Sequence, residues 1–296
     1  MAEISPYKYL PPELADRLHP LNLSVRRPVE GHMQGQHRSP HHGSSVEFAE
    51  YREYTRGDPP NLIDWAVYAR SDRYVVRRYQ EETNLRGFVL LDTSESMAFH
   101  EDGLYPKFEY AAYLAAALMY ILIRQSDAAG LALFHEGLHK LLPPAGSLEG
   151  LRPMLLALEE VKPTGRSRIG EALHKLAERI RSRSLVVLVS DLLREPDEIL
   201  RGLRHLHHDG HEVMVLHVLD PAELRISFTG MVELKELETG DKLVLQADEF
   251  REAYAQAVQR HIETLRRGCT DCLADYHLVN TRRPVEETLQ RMLRRL

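Results

Sequence analysis

The chain has 296 residues, 43% of them hydrophobic and 28% charged, a globular composition that excludes disordered, collagen-like and coiled-coil chains and allows one large domain or two smaller ones. Lys and Arg number 38 against 44 Asp and Glu, a net charge of −6, which is not the surface of a nucleic-acid binder. Residues 1–91 carry 12 basic and 12 acidic side chains, so the surplus acid lies beyond them, where it suits a cation site better than a phosphate groove.

Residues 1–85 show no long apolar helix and several short extended segments. This pattern predicts an N-terminal β-rich subdomain with a mobile loop in the Gly/Pro/His-rich text at 31–43. Residues 86–296 read differently. The runs Arg86–Asp92, Ala129–Phe134, Leu185–Asp191 and Val213–Leu219 are short, continuous and rich in branched residues, as strands buried on both faces are. Phe108–Gln125 is apolar nearly all round and reads as a central buried helix. Ile169–Arg183 and Pro196–His208 are amphipathic, with acids early and bases late. Residues 224–246 read as a small β insertion turning at Thr239-Gly240-Asp241, ahead of a helix over Asp248–Arg267. A strand over Asp275–Asn280 and a helix from Pro284 close the chain. The fold class is α/β: a doubly wound, mostly parallel sheet with helices on both faces.

In such sheets ligands bind beyond the carboxyl ends of the strands. The first strand ends in Asp92-Thr93-Ser94-Glu95-Ser96, and the third ends in Ser190-Asp191. Between them Gly165-Arg166-Ser167-Arg168 enters a helix. Asp92, Ser94, Ser96, Ser167 and Asp191 would converge on one rim as an all-oxygen site for a hard divalent cation, Mg²⁺ first, with Mn²⁺ or Ca²⁺ as alternatives. With few anionic ligands, the ion would keep net positive charge and accept a carboxylate from a partner.

These residues resemble the metal-ion-dependent adhesion site (MIDAS) of von Willebrand factor A domains, an Asp-x-Ser-x-Ser loop followed by a Thr loop and an Asp loop. Ser167 stands where that family usually has Thr. Upstream, Glu47-Phe48-Ala49-Glu50-Tyr51-Arg52-Glu53-Tyr54, Arg56-Gly57-Asp58, Ile63-Asp64-Trp65, Ala69-Arg70 and Val76-Arg77-Arg78 resemble the signature of a bacterial family known as domain of unknown function 58. Its members join that signature to a von Willebrand A-like domain. Asn61 replaces the usual Arg of the pattern. Many members carry N-terminal membrane helices; no run here reaches the roughly 20 apolar residues of a span. The resemblance implies a non-enzymatic adaptor that works with a MoxR-type AAA+ ATPase, and with an acidic protein ligand, in assembly or maturation of other proteins.

The rival is a metal-assisted hydrolase on the same rim, with Asp220 or Glu95 as general base. A dehalogenase-like phosphotransferase would need a second Asp where Ser94 stands, and no dinucleotide-binding, Walker A or Gly-x-Ser-x-Gly motif occurs. Arg56-Gly57-Asp58 reads as a turn, and the arginines of 52–78 alternate with acids as in an internal ion-pair network. Cys269 and Cys272 form a lone Cys-x-x-Cys after a helix and before a strand, the reverse of the redox arrangement. His205, His207, His208 and His211 crowd a helix end, read as solvated. Two cysteines and the absence of a visible signal peptide point to a cytoplasmic setting.

Overall fold

A computed structural model describes residues 7–23, 46–55, 58, 60, 63–81, 85–225, 227–238 and 240–293. They fall into two compact units, one within 1–26 and 85–296 and the other within 27–84. The first element, α1 (Pro12–Leu18), belongs to the larger unit. This departs from the expected grouping of 1–85 as one subdomain. The cause is the spacing of Leu14 and Leu18, one helical turn apart on one face of a helix too short to stand alone, with Leu10 just ahead of it. They bury in the larger unit's core together with Tyr9 and Leu23.

In the smaller unit, β1 (Val46–Glu53) pairs antiparallel with a strand that follows a short helix. That helix is α2 (Trp65–Ser71) and the strand is β2 (Val75–Glu81). Asp64 caps α2 by accepting the N–H groups of Ala66 and Val67, and the Tyr51 hydroxyl donates to the same carboxylate at 3.1 Å. The Arg52 guanidinium reaches both oxygens of Asp58 at 2.7 Å, one pair of the ion-pair network expected there. The Asp58 N–H donates to the Thr55 carbonyl. Arg56, Gly57 and the loop expected at 31–43 lie outside the described residues.

The larger unit continues with β3 (Arg86–Asp92), α3 (Lys107–Arg124), β4 (Ala128–Phe134), β5 (Leu138–Ala145), α4 (Leu148–Glu160) and α5 (Ile169–Arg179). It proceeds through β6 (Leu185–Ser190), α6 (Pro196–His208), β7 (Glu212–Leu219) and α7 (Pro221–Leu224). A hairpin of β8 (Met231–Lys235) and β9 (Lys242–Gln246) precedes α8 (Ala247–Asp271), β10 (Asp275–Asn280) and α9 (Val285–Leu293). The six-stranded sheet runs β10-β7-β6-β3-β4-β5, parallel except for β5. This is the expected doubly wound α/β arrangement of von Willebrand A-like type.

Alternation along each strand divides the core. Val89 and Leu91 of β3, with Val187 and Val189 of β6, face α1, α3, α4 and α9. Phe88 and Leu90, with Val186 and Leu188, face α5, α6 and α8. Only Glu109, Tyr113, Tyr120 and Arg124 of the 18 residues of α3 escape burial. Because the chain leaves β3 toward β4 on one side and later returns to β6 on the other, the strand order reverses beside β3, where α/β sheets open a crevice. Among the described residues no helix is long and apolar enough to cross a membrane.

Leu18 is wholly buried, so Leu18→Ala should lower unfolding stability by about 3 kcal/mol through lost burial and a residual cavity. A loss below about 1 kcal/mol in urea melts would contradict the docking of α1 on this core.

Candidate functional site

β3 and β6 are parallel neighbours in register Leu91↔Val189, so Asp92 and the Ser190-Asp191 pair leave the sheet side by side. The chain beyond β3 turns at once. Asp92 Oδ1 accepts the Ser94 N–H at 2.9 Å, and residues Glu95–Ala98 wind into one 3₁₀ turn. The second loop is tied to the first by backbone bonds, Thr164 N–H to Thr93 O and Glu95 N–H to Gly165 O, both 2.9 Å. Gly165 has φ +72°, and a Cβ there would meet His135 at 3.0 Å; the left-handed turn in this crowded place is why the loop carries glycine. The third loop turns through Leu192, a buried non-glycine residue at φ 52°.

All five expected residues meet at this rim, and all are buried. The Ser167 hydroxyl donates to Asp92 Oδ2 at 2.8 Å, and the Ser94 and Ser96 hydroxyls lie 3.1 Å apart. Ser96 also lies close enough to Asp191 to favour its ionised form. Ser190, which the sequence did not single out, donates to Asp92 Oδ2 at 2.7 Å. Asp92 is thus a hub for three loops.

Its charge is not equally provided for. Asp92's described hydrogen-bond partners are an N–H and hydroxyls, with no ammonium or guanidinium among them. Burial, and next the nearby Asp191 charge, push its pKa up to about 6 despite those hydrogen bonds. Asp191 has a partner. The Lys107 ammonium, wholly buried at the first turn of α3, lies 2.7 Å from Asp191 Oδ2 and 2.6 Å from Glu223 Oε1. Burial alone would raise the Asp191 pKa, but Lys107 brings it below the ordinary value. Burial likewise works against charge on Lys107, and the two carboxylates more than offset it. Glu223 is pushed up, chiefly by burial. A cation at the positive end of a helix dipole is misplaced for the helix; Lys107 is there for the carboxylates. Of the three acids here, two share the one ammonium, and Asp92 is the one it does not serve.

Among the described residues no group of three or more His, Cys, Asp and Glu gathers as a metal cluster. The arrangement at hand is sparser: one unserved buried carboxylate ringed by neutral hydroxyls. That donor set fits a hard, oxygen-seeking divalent cation. Asp92, Ser94, Ser96 and Ser167 are placed to hold one, with Asp191 behind Ser96.

The hydrolase candidates are placed otherwise. Asp220 caps α7 and accepts four N–H groups, from Glu101, Asp102, Gly103 and Ala222, at 2.9–3.1 Å. Burial raises its pKa, but these bonds outweigh burial and lower it, so it is a loop clamp. Glu95 is exposed on the 3₁₀ turn. Cys269, at the end of α8, is buried with its thiol pushed up to about 12 by burial, which leaves it inert. His211 is buried and accepts the Ser184 N–H, so it is not solvated as expected. A cavity of about 580 Å³ adjoins the third loop, lined by Leu193, Arg194, His217, Glu223, Tyr254 and His261 among others. Burial holds His217 neutral, at a pKa of about 3.

The geometry defines an α/β domain of von Willebrand A-like type with a strand-end site. Among solved structures the chain is similar to the conserved hypothetical protein BatB from Bacteroides thetaiotaomicron, at 15% identity and TM-score 0.45, covering 71% of this chain and 100% of that one. It is similar also to the SpRpn10 VWA domain, at 13% identity and TM-score 0.42, covering 70% and 94%. The uncharacterized protein Rv1480 of Mycobacterium tuberculosis is 28% identical over 265 residues, 88% of this chain and 83% of that protein. A family model described as protein of unknown function DUF58 matches residues 50–264, and the chain belongs to that family.

Lys107→Met removes the ammonium and leaves Asp191 and Glu223 buried beside each other. The expected loss is about 3–5 kcal/mol of unfolding stability. A denaturant melt showing less than about 1 kcal/mol would mean that Lys107 does not hold the third loop.

Proposed function

We propose that this chain is a non-enzymatic, divalent-cation-dependent protein-interaction module. The observation that carries the reading is Asp92, a buried carboxylate that accepts the Ser94 N–H and the Ser167 and Ser190 hydroxyls, beside the paired Ser94 and Ser96 hydroxyls, with no ammonium among its described hydrogen-bond partners. Mg²⁺, or Mn²⁺ or Ca²⁺ in its place, would supply the missing positive charge and an open coordination position for an incoming carboxylate. The serines orient Asp92 and leave the site with little negative charge of its own. The Lys107 ammonium neutralises Asp191 from behind, so that an approaching acid meets no free carboxylate on the third loop. Leu193, which directly follows that loop's Asp191–Leu192 turn, is 50% exposed and offers an apolar contact beside the bound acid.

The ligand is therefore a Glu or Asp on another protein, and the resemblance to MoxR-associated members of the family supports a MoxR-type AAA+ ATPase as the partner, with this chain as its adaptor in assembly or maturation. Asp220 is held as a loop clamp by four N–H groups, which does not favour it as a general base and leaves the hydrolytic alternative resting on Glu95.

Asp92→Asn, compared with the wild type, separates a metal site from a purely structural hub. Mg²⁺ or Mn²⁺ should stabilise the wild type, by about 2.7 kcal/mol at a hundredfold excess over Kd, and so raise its melting temperature. Asp92→Asn keeps the shape and removes the buried charge: its melting temperature in EDTA should equal or exceed the wild type's, and its response to metal should vanish. An unchanged metal response, or a large loss of stability in EDTA, would contradict the assignment. In pull-downs of the partner ATPase, Ser167→Ala should weaken binding at limiting Mg²⁺, while Ser167→Thr should preserve it.

A further inference from the structure

The small hairpin of β8 and β9 has no part in the sheet and exposes Met231, Leu243 and Val244 to solvent. Its turn closes through Glu236 N–H to Asp241 O and Gly240 N–H to Glu236 O, which puts Glu238 at the tip. That side chain does not point into water. It is 9% exposed, and its Oε1 accepts the N–H of Ser167 at 3.3 Å, the residue whose hydroxyl is on Asp92 Oδ2. Its other oxygen lies 3.9 Å from the Arg194 guanidinium on the third loop. Both contacts are long, at the outer limit of a hydrogen bond and of an ion pair. A carboxylate is thus withdrawn from solvent, held loosely, and held between two of the three loops that form the candidate metal rim.

We infer that Glu238 is an internal acidic ligand of this site: with a divalent cation in place, its carboxylate takes the position that a partner's acid takes, and the partner must displace the hairpin. The inference rests on the metal-dependent reading above and adds its regulation. The chemistry is simple exchange of one carboxylate for another at a hard cation, which needs no covalent step. The exchange is accessible because the hairpin tip is held to the rim by the two long contacts of Glu238, while β8 and β9 remain paired with each other when it moves.

Mn²⁺ alone is a sufficient probe, because its bound water relaxes solvent protons and an internal carboxylate would exclude one such water. Wild type, Glu238→Gln, Glu238→Asp and Asp92→Asn are titrated with Mn²⁺ while binding and water-proton relaxation are followed; melts in EDTA check folding. Glu238→Gln should bind Mn²⁺ about tenfold more weakly and show higher relaxation per bound ion. Glu238→Asp, charged but one methylene short, should behave as Gln does. If Asp92→Asn abolishes binding while both Glu238 variants match the wild type in affinity and relaxation, the internal ligand is overturned and the metal site stands. If the wild type binds no Mn²⁺, both readings fall. A loss of stability in EDTA with unchanged Mn²⁺ behaviour would make Glu238 a hairpin staple only and would also overturn the inference.

Discussion

The Asp92 carboxylate organises the functional end of this protein. It stands at the last position of a strand with buried neighbours on both faces, and it gathers the backbone of its own loop, the Ser167 hydroxyl of the second loop and Ser190 beneath the third. A buried acid that accepts several hydrogen bonds is well oriented but remains costly while its charge has no counterion. The sheet fixes the position, the hydroxyls fix the orientation, and the unmet charge is what the proposed cation would satisfy.

Lys107 confines the unmet charge to one place. The third loop brings Asp191 within the influence of Asp92, and two adjacent carboxylates would oppose each other's ionisation. By reaching both Asp191 and Glu223, the ammonium keeps the third loop ionised and locks it to α3 and to the short helix after β7. A domain built this way can hold its rim together before any partner arrives, because the back of the site is stabilised from within.

Much of this was legible in the sequence. Continuous apolar runs gave the parallel strands, and the chain order of Asp92, Ser94, Ser96, Ser167 and Asp191 gave one rim, since parallel neighbours end on the same side. Three things were hidden. β5 carries Pro143 and Pro144 and is a half-exposed edge strand, and α4 contains Pro153; in both, proline masks the periodicity that marks an element. α1 was grouped with its sequence neighbours because the spacing of its leucines says that a face is buried, and not against what. Lys107 offered a faint signal as the basic residue opening an apolar helix, and Glu223 one as the far end of a capping box with Asp220. Their meeting at Asp191, like that of Glu238 with Ser167, joins residues 71 to 116 positions apart, which local pattern does not encode.

The most direct measurement is anomalous X-ray scattering from a crystal of this chain soaked in Mn²⁺. The account predicts one strong Mn²⁺ peak enclosed by Asp92, Ser94, Ser96 and Ser167, with Lys107 still on Asp191. A fully ordered rim with no peak there, or Mn²⁺ bound only among the surface histidines, would contradict it.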